Sequence, residues 1–261
     1  LLPAEWTSTP WHPLLACALF IVPGVPLINF VDDMLDNYIQ VGIVRAVNTL
    51  LMVAAMAFGI AFAVKLCHIE NFFPTISMVP HHQYWEYAIA AAISAMGFSM
   101  IFNIQRRLLW VVAIGGIIAV CTRNFVNLGP STDNIGLDMG LVIGSFSGAV
   151  LVSLIAIKAV HWFHVPNHVL TIPSVIPMIP GVLMYRMLFG IININVQSID
   201  QVTPLMKAIE SGVNSGLVIM CIALGVAIPN IFGRRFIASS KNKRLAELLK
   251  ERKARGKFVE W

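Results

Sequence analysis

Charge is scarce in this chain. Of 261 residues only 12% are Asp, Glu, Lys or Arg, while 57% are hydrophobic and the mean hydropathy is +0.78. An ordinary soluble domain carries about 25% charged residues, so a soluble globular protein is excluded. Cysteine is equally thin: Cys17, Cys67, Cys121 and Cys221 are scattered, form no C-x-x-C or His/Cys ligand spacing, and read as small apolar packers. No redox centre and no metal site is expected from them. Also lacking are G-x-x-x-x-G-K-[ST], H-E-x-x-H and G-x-S-x-G, which removes support for ATP-driven transport and for the commonest membrane hydrolases. No enzymatic activity and no cofactor is expected.

What the chain does have is long apolar runs. Seven stretches are free of Asp, Glu, Lys, Arg and His: 13–31, 46–64, 87–105, 108–122, 139–157, 169–185 and 211–233. A helix needs about 20 apolar residues to cross a bilayer, so these predict an all-α integral membrane protein with about seven transmembrane segments. The run 108–122 is short, and Arg106, Arg107 and Arg123 are expected to snorkel at its ends.

The net charge of +5 is unevenly placed. Residues 1–233 hold 8 basic against 10 acidic residues, and 234–261 hold 10 against 3. A basic segment directly after the last span puts the C-terminus in the cytoplasm, and membrane lipid is a better partner for it than nucleic acid. Residues 241–258 carry Leu245, Leu248 and Leu249 at helical spacing among bases, which predicts an amphipathic helix on the cytoplasmic leaflet. Working backwards, 67–86 falls outside the cell and Arg106 and Arg107 inside. His81 and His82, beside Tyr84 and Trp85 in that outer loop, read as part of an interfacial belt.

Two segments resemble each other. Pro23-Gly24-Val25 and Pro180-Gly181-Val182 are each followed by a span with a late glycine, Gly59 and Gly225, and with the glycines aligned Asn48 falls on Asn214. Four spans lie between the two Pro-Gly-Val segments, so the second copy is inverted relative to the first. Inverted repeats with Pro/Gly-interrupted segments point to secondary transporters, in which unwound backbone faces the substrate.

The stretch FIVPGVPLINFVDDML, followed by Gly42, Arg45 and AMAFGIAFA, resembles the end of the first membrane unit of the threonine/serine exporter family. GFSMIFNIQRR, SVIPMIPGVLMYR and the last glycine-containing span resemble its second unit. The resemblance implies a carrier built from two inverted five-span units behind a hydrophilic region, exporting small hydroxy amino acids with protons in a bacterial inner membrane. On that basis 1–66 is the end of the first unit, 67–86 an external loop, 87–233 the second unit and 234–261 the basic tail. Leu1 is then expected to follow roughly three further spans. The family usually has a basic residue before the aspartate that follows Pro-Gly-Val, whereas Asp32 stands here, so the acidic role is carried to Asp33.

Candidate substrate- and ion-binding residues follow. Pro23 and Pro180 would interrupt the helices, and Gly24 and Gly181 would allow close approach and expose backbone N–H groups; Asp33 would be a proton-linked carboxylate, or else a solvated helix end beside Asp32 and Asp36. Arg186, embedded in MYRMLFG, needs a counter-ion, either a substrate carboxylate or Asp33, and otherwise snorkels to the interface. Asn48 and Asn214 could serve both ends of a zwitterion, with Asn29 and Asn103 as weaker versions, or could simply hydrogen-bond between helices. Gly140, Gly144 and Gly148, and Gly212 with Gly216, are expected to let helices pack closely, within one protomer or between two in a homo-oligomer. Export of a dicarboxylate such as succinate, and a scaffold subunit that transports nothing, are the rival readings.

Overall fold

A computed structural model describes residues 23–67, 83–130, 135–163, 165–192 and 202–254. All of its regular structure is helical among these residues: α1 (Gly24–Leu35), α2 (Ile39–Leu66), α3 (Tyr84–Ile101), α4 (Leu109–Asn127), α5 (Leu141–Phe163), α6 (Asn167–Val175), α7 (Gly181–Ile192) and α8 (Val202–Ala254). Four stretches are long and apolar enough to cross a membrane: Ile39–Ala63, Arg106–Asn127, Leu141–Val160 and Leu205–Gly233. A fifth is a bent pair, Asn167–Met178 with Gly181–Leu188, turned by 54° at its break. The protein is therefore a helical, multi-pass membrane protein. Of the seven expected spans, most of 13–31 lies outside the described residues, as do His81 and His82, and 87–105 corresponds to the 18-residue helix α3.

Local chemistry sets the helix ends. Both α1 and α3 stop at an asparagine in the left-handed region, Asn37 (φ 69°) and Asn103 (φ 54°). The next N–H returns to the helix, Tyr38 to Asp33 O at 2.8 Å and Ile104 to Ser99 O at 3.0 Å, in the Schellman pattern that satisfies terminal carbonyls. Asn103 is thus an exposed helix stop, a structural role beside its reading as a weak binding candidate. The short run 108–122 is corrected. The helix continues through Arg123 to Asn127, a turn at Arg106–Leu108 precedes it, and residues 137–139 fold back onto its orphan carbonyls, Leu137 N donating to Phe125 O at 3.1 Å and Met139 N to Val126 O at 2.9 Å.

Small residues place the helices. A methyl group added at Gly116 would come within 2.8 Å of Ala95 Cβ, seating α3 on α4. One at Gly144 would meet Arg123 O at 2.6 Å, one at Gly148 Ala119 O at 2.6 Å, and one at Gly225 Ala149 Cβ at 2.8 Å. These contacts bring α4, α5 and α8 together at backbone distance, the packing that small residues permit in membranes. Gly140 departs from the expected role: it has φ +86° and open space around it, and it turns the chain into α5. Gly212 packs on Met187, whereas Gly216 and Gly59 face open space.

The core runs between Ile28 and Val31 of α1, Ala119 of α4, Val152 of α5, Ile176 of the break and Ile222 of α8. More than half of the α8 span is buried and under a quarter of the α2 span, so α8 is the central helix and α2 lies at the edge. Phe58 and Phe62 on α2 and Trp162 on α5 point outward, as lipid-facing residues do. Helix α8 runs without a break from Val202 to Ala254, so the tail helix extends the last span instead of forming a separate element.

Candidate functional site

Both Pro-Gly-Val segments begin a helix at their glycine, and each helix has 12 residues: α1 from Gly24 and α7 from Gly181. Proline before the first helical residue and glycine within it suit a helix start whose N–H groups are free of intrahelical partners. Their packing is reciprocal. Helix α1 rests on α2 and α8, and α7 rests on α8 and α2. Three residues after each glycine, Leu27 and Met184 share one buried cluster with Tyr185, Val53 and Ile219.

The two segments meet. A methyl group added at Gly24 would lie 2.8 Å from Ile179 Cδ1 and 3.6 Å from the Ile176 side chain, so the start of α1 sits against the turn that precedes Pro180. In that turn Ile179 N donates to Ile176 O at 3.0 Å and Gly181 N to Ile179 O at 2.9 Å. The Met178 carbonyl lies outside the helical ladder and accepts from Arg123 Nη1 of α4 at 3.3 Å. Arg123 therefore turns inward to the break, which corrects its reading as a snorkelling end.

The α6 half is held by polar pairs. Ser174 Oγ donates to Leu170 O at 2.7 Å and lies 3.2 Å from Val112 O on α4, and Asn167 Nδ2 donates to Asn230 Oδ1 on α8. The Ser174 hydroxyl adds bonds to a proline-containing helix in a medium without water, while the amide pair leaves Asn167 Oδ1 and Asn230 Nδ2 buried without a partner.

Among the sequence candidates, Pro23, Pro180 and Asn29 are half-buried, and Gly24 and Gly181 are buried. Asp33 lies on the last turns of α1 and is ion-paired through Oδ2 with Arg45 Nη1 of α2. That pairing answers the expectation of Asp33 as counter-ion to Arg186: its described partner is Arg45. Arg186 sits half-buried on α7, five residues after Gly181, the same step that separates Asn29 from Gly24. Asn48 is exposed and lines an open pocket of about 470 Å³ between α1 and α2, with Pro26, Gln40, Arg45 and Thr49. Asn214 is half-buried on α8 and does not line that pocket. The aligned glycines also differ, Gly225 being packed on α5 and Gly59 open.

A family model described as "Threonine/Serine exporter, ThrE" matches residues 87–232, more than half of the chain, and a second threonine/serine exporter model matches 4–67. The chain belongs to the threonine/serine exporter family. No solved structure matches it. The boundary between the two family matches falls in the segment between α2 and α3, so α1 and α2 of this exporter-family protein belong to one match and α3 to α8 to the other. The junction between them is where Gly24 meets Ile179. The sequence reading placed Arg123 at the interface and passed over Asn124 and the Asn167–Asn230 pair. One signal was there to be read: Arg123 is a lone base after an apolar run, unlike the adjacent Arg106 and Arg107.

Proposed function

We propose that the protein is a secondary transporter that exports threonine and serine, coupled to proton movement, across a bacterial inner membrane with its basic tail in the cytoplasm. The family supports an exporter of small molecules. The observation that carries the mechanism is the meeting of two glycine-initiated half-helices with reciprocal packing. Helix starts offer unpaired N–H groups and positive dipole ends to a carboxylate, and transporters with repeated units place substrate between such segments. Gly24 gives the close backbone approach, Gly181 offers its N–H once the turn bond to Ile179 O opens, and Asn29 and Arg186, each five residues further on, supply side-chain donors around the same junction. Asn48 and Asn214 are second contacts for the hydroxy amino acid, approached from different helices. Asp33, paired with Arg45 near the open pocket, is the proton-linked carboxylate: protonation breaks the pair and frees α1 to move against α2. Rocking of the α1–α2 unit against the α3–α8 unit then exposes the junction to each side in turn.

Counterflow of labelled threonine into proteoliposomes tests this reading, with serine and succinate as competitors. Threonine counterflow inhibited by serine and not by succinate is expected, accelerated by a proton gradient in the wild type and not in Asp33→Asn. Competition by succinate alone would replace the amino-acid reading with a dicarboxylate one, and counterflow of neither would leave the scaffold reading.

A further inference from the structure

We propose that Arg123 and Asn124 of α4 form the carboxylate subsite of the transport path, at the break between α6 and α7; the proposal rests on the exporter reading above. Arg123 donates from Nη1 to the Met178 carbonyl at 3.3 Å and from Nε to Asn124 Oδ1 at 3.3 Å, and both acceptors are neutral. Among the described residues the recorded ion pair joins Asp33 and Arg45, and no described carboxylate lies within 4.0 Å of the Arg123 guanidinium. Asn124 is 3% exposed, and its Oδ1 is committed to Arg123, which fixes the orientation of the amide. Its Nδ2 is then a buried donor with no acceptor.

A half-buried guanidinium and a buried amide NH2 without an acceptor thus lie side by side, with the Tyr87 phenol as the other polar group that bears on the guanidinium. A buried donor without an acceptor is costly, and a partly desolvated cation gains from a counter-charge. A carboxylate supplies what is missing: negative charge and two oxygens with about four lone-pair sites, matched to the paired N–H groups of arginine. The location supports this ligand class. Met178 directly precedes Ile179, against which Gly24 rests, so the donor pair, the bend and the start of α1 share one neighbourhood. When a carboxylate replaces the Met178 carbonyl on the guanidinium, that carbonyl is released, which ties occupancy to the geometry of the bend. A simple latch would explain the bond to Met178 but would leave the Asn124 amide without a role.

The test is binding by the full chain in detergent, comparing carboxylates with analogues that lack the carboxylate: threonine with threoninol, and succinate with succinamide. Arg123→Gln should lower the ratio of threonine to threoninol affinity at least tenfold, and Asn124→Leu about threefold or more. Arg123→Lys keeps the charge without the fork and should fall between Arg123→Gln and the wild type, which keeps the test available if Arg123→Gln does not fold. Parallel weakening of threonine and threoninol, or lower thermal stability at an unchanged ratio, would reduce Arg123 to a structural latch and overturn the proposal. If succinate binds and threonine does not, with the succinate-to-succinamide ratio falling in Arg123→Gln, the subsite stands and the amino-acid reading fails. If no carboxylate binds the wild type, both fail.

Discussion

Substituting Gly144 by alanine isolates the close approach on which the α4–α5 interface depends. The added methyl would lie 2.6 Å from the Arg123 carbonyl oxygen, well inside the 3.4 Å at which ordinary contact begins, and the obstructing atom is backbone. Relief therefore requires one helix to retreat from the other by roughly 0.8 Å, in an interior packed as densely as an organic crystal. Overpacking of this kind costs about 1–3 kcal/mol, and the better helix propensity of alanine returns about 0.5–1 kcal/mol, leaving a net loss of about 0–2.5 kcal/mol, centred near 1 kcal/mol. Gly216→Ala is the internal control: it removes a glycine from a similar small-residue motif, but open space surrounds its methyl, so only the propensity gain remains. At about 2–4 °C per kcal/mol for a chain of this size, the central value for Gly144→Ala is a melting temperature lower by about 2–4 °C. Gly216→Ala should leave it unchanged or raise it by a few degrees. Thermal unfolding in detergent, followed by tryptophan fluorescence, reads both. Equal shifts, or a larger loss at Gly216, would show that α4 and α5 are not in backbone contact at Arg123 and would refute the packing argument.

Other outcomes follow from single contacts. Asp33→Asn and Arg45→Met, combined in a double-mutant cycle, should show a coupling of about 0.5–1 kcal/mol, the range of a partly exposed ion pair; additive effects would mean that the pair does not form. Ser153→Ala removes a donor to Val226 O on α8 at 3.0 Å and should cost about 0.6 kcal/mol, measured by denaturant unfolding in mixed micelles. Ser99→Ala breaks only a bond to Ala95 O one turn back, so a loss as large as that at Ser153 would contradict the assignment of an interhelical bond. Trypsin should shorten the chain at 234–261 when added to inverted vesicles and leave it intact in whole cells; cleavage in whole cells would reverse the proposed orientation.

Composition and periodicity by themselves determined that this is a membrane protein of apolar helices. The scarcity of charge and the length of the runs leave no other way to bury the backbone. The likeness between the two Pro-Gly-Val segments was also legible, because proline and glycine act on the backbone locally and both segments start helices at the glycine. Partnership was not legible. Arg123 and Arg106 are equally basic residues at the ends of one apolar run, and only the packing of α4 on the α6–α7 bend directs Arg123 to the Met178 carbonyl. Asn103 and Asn124 are both amides beside apolar residues, yet one ends a helix at positive φ and the other is buried against a guanidinium. Gly59 and Gly225 align in sequence and differ in surroundings, since a neighbour's backbone approaches only the second. A residue's type sets which interactions it can make, whereas which partner lies within 3–4 Å depends on helices distant in sequence, and that was decided by the tertiary structure.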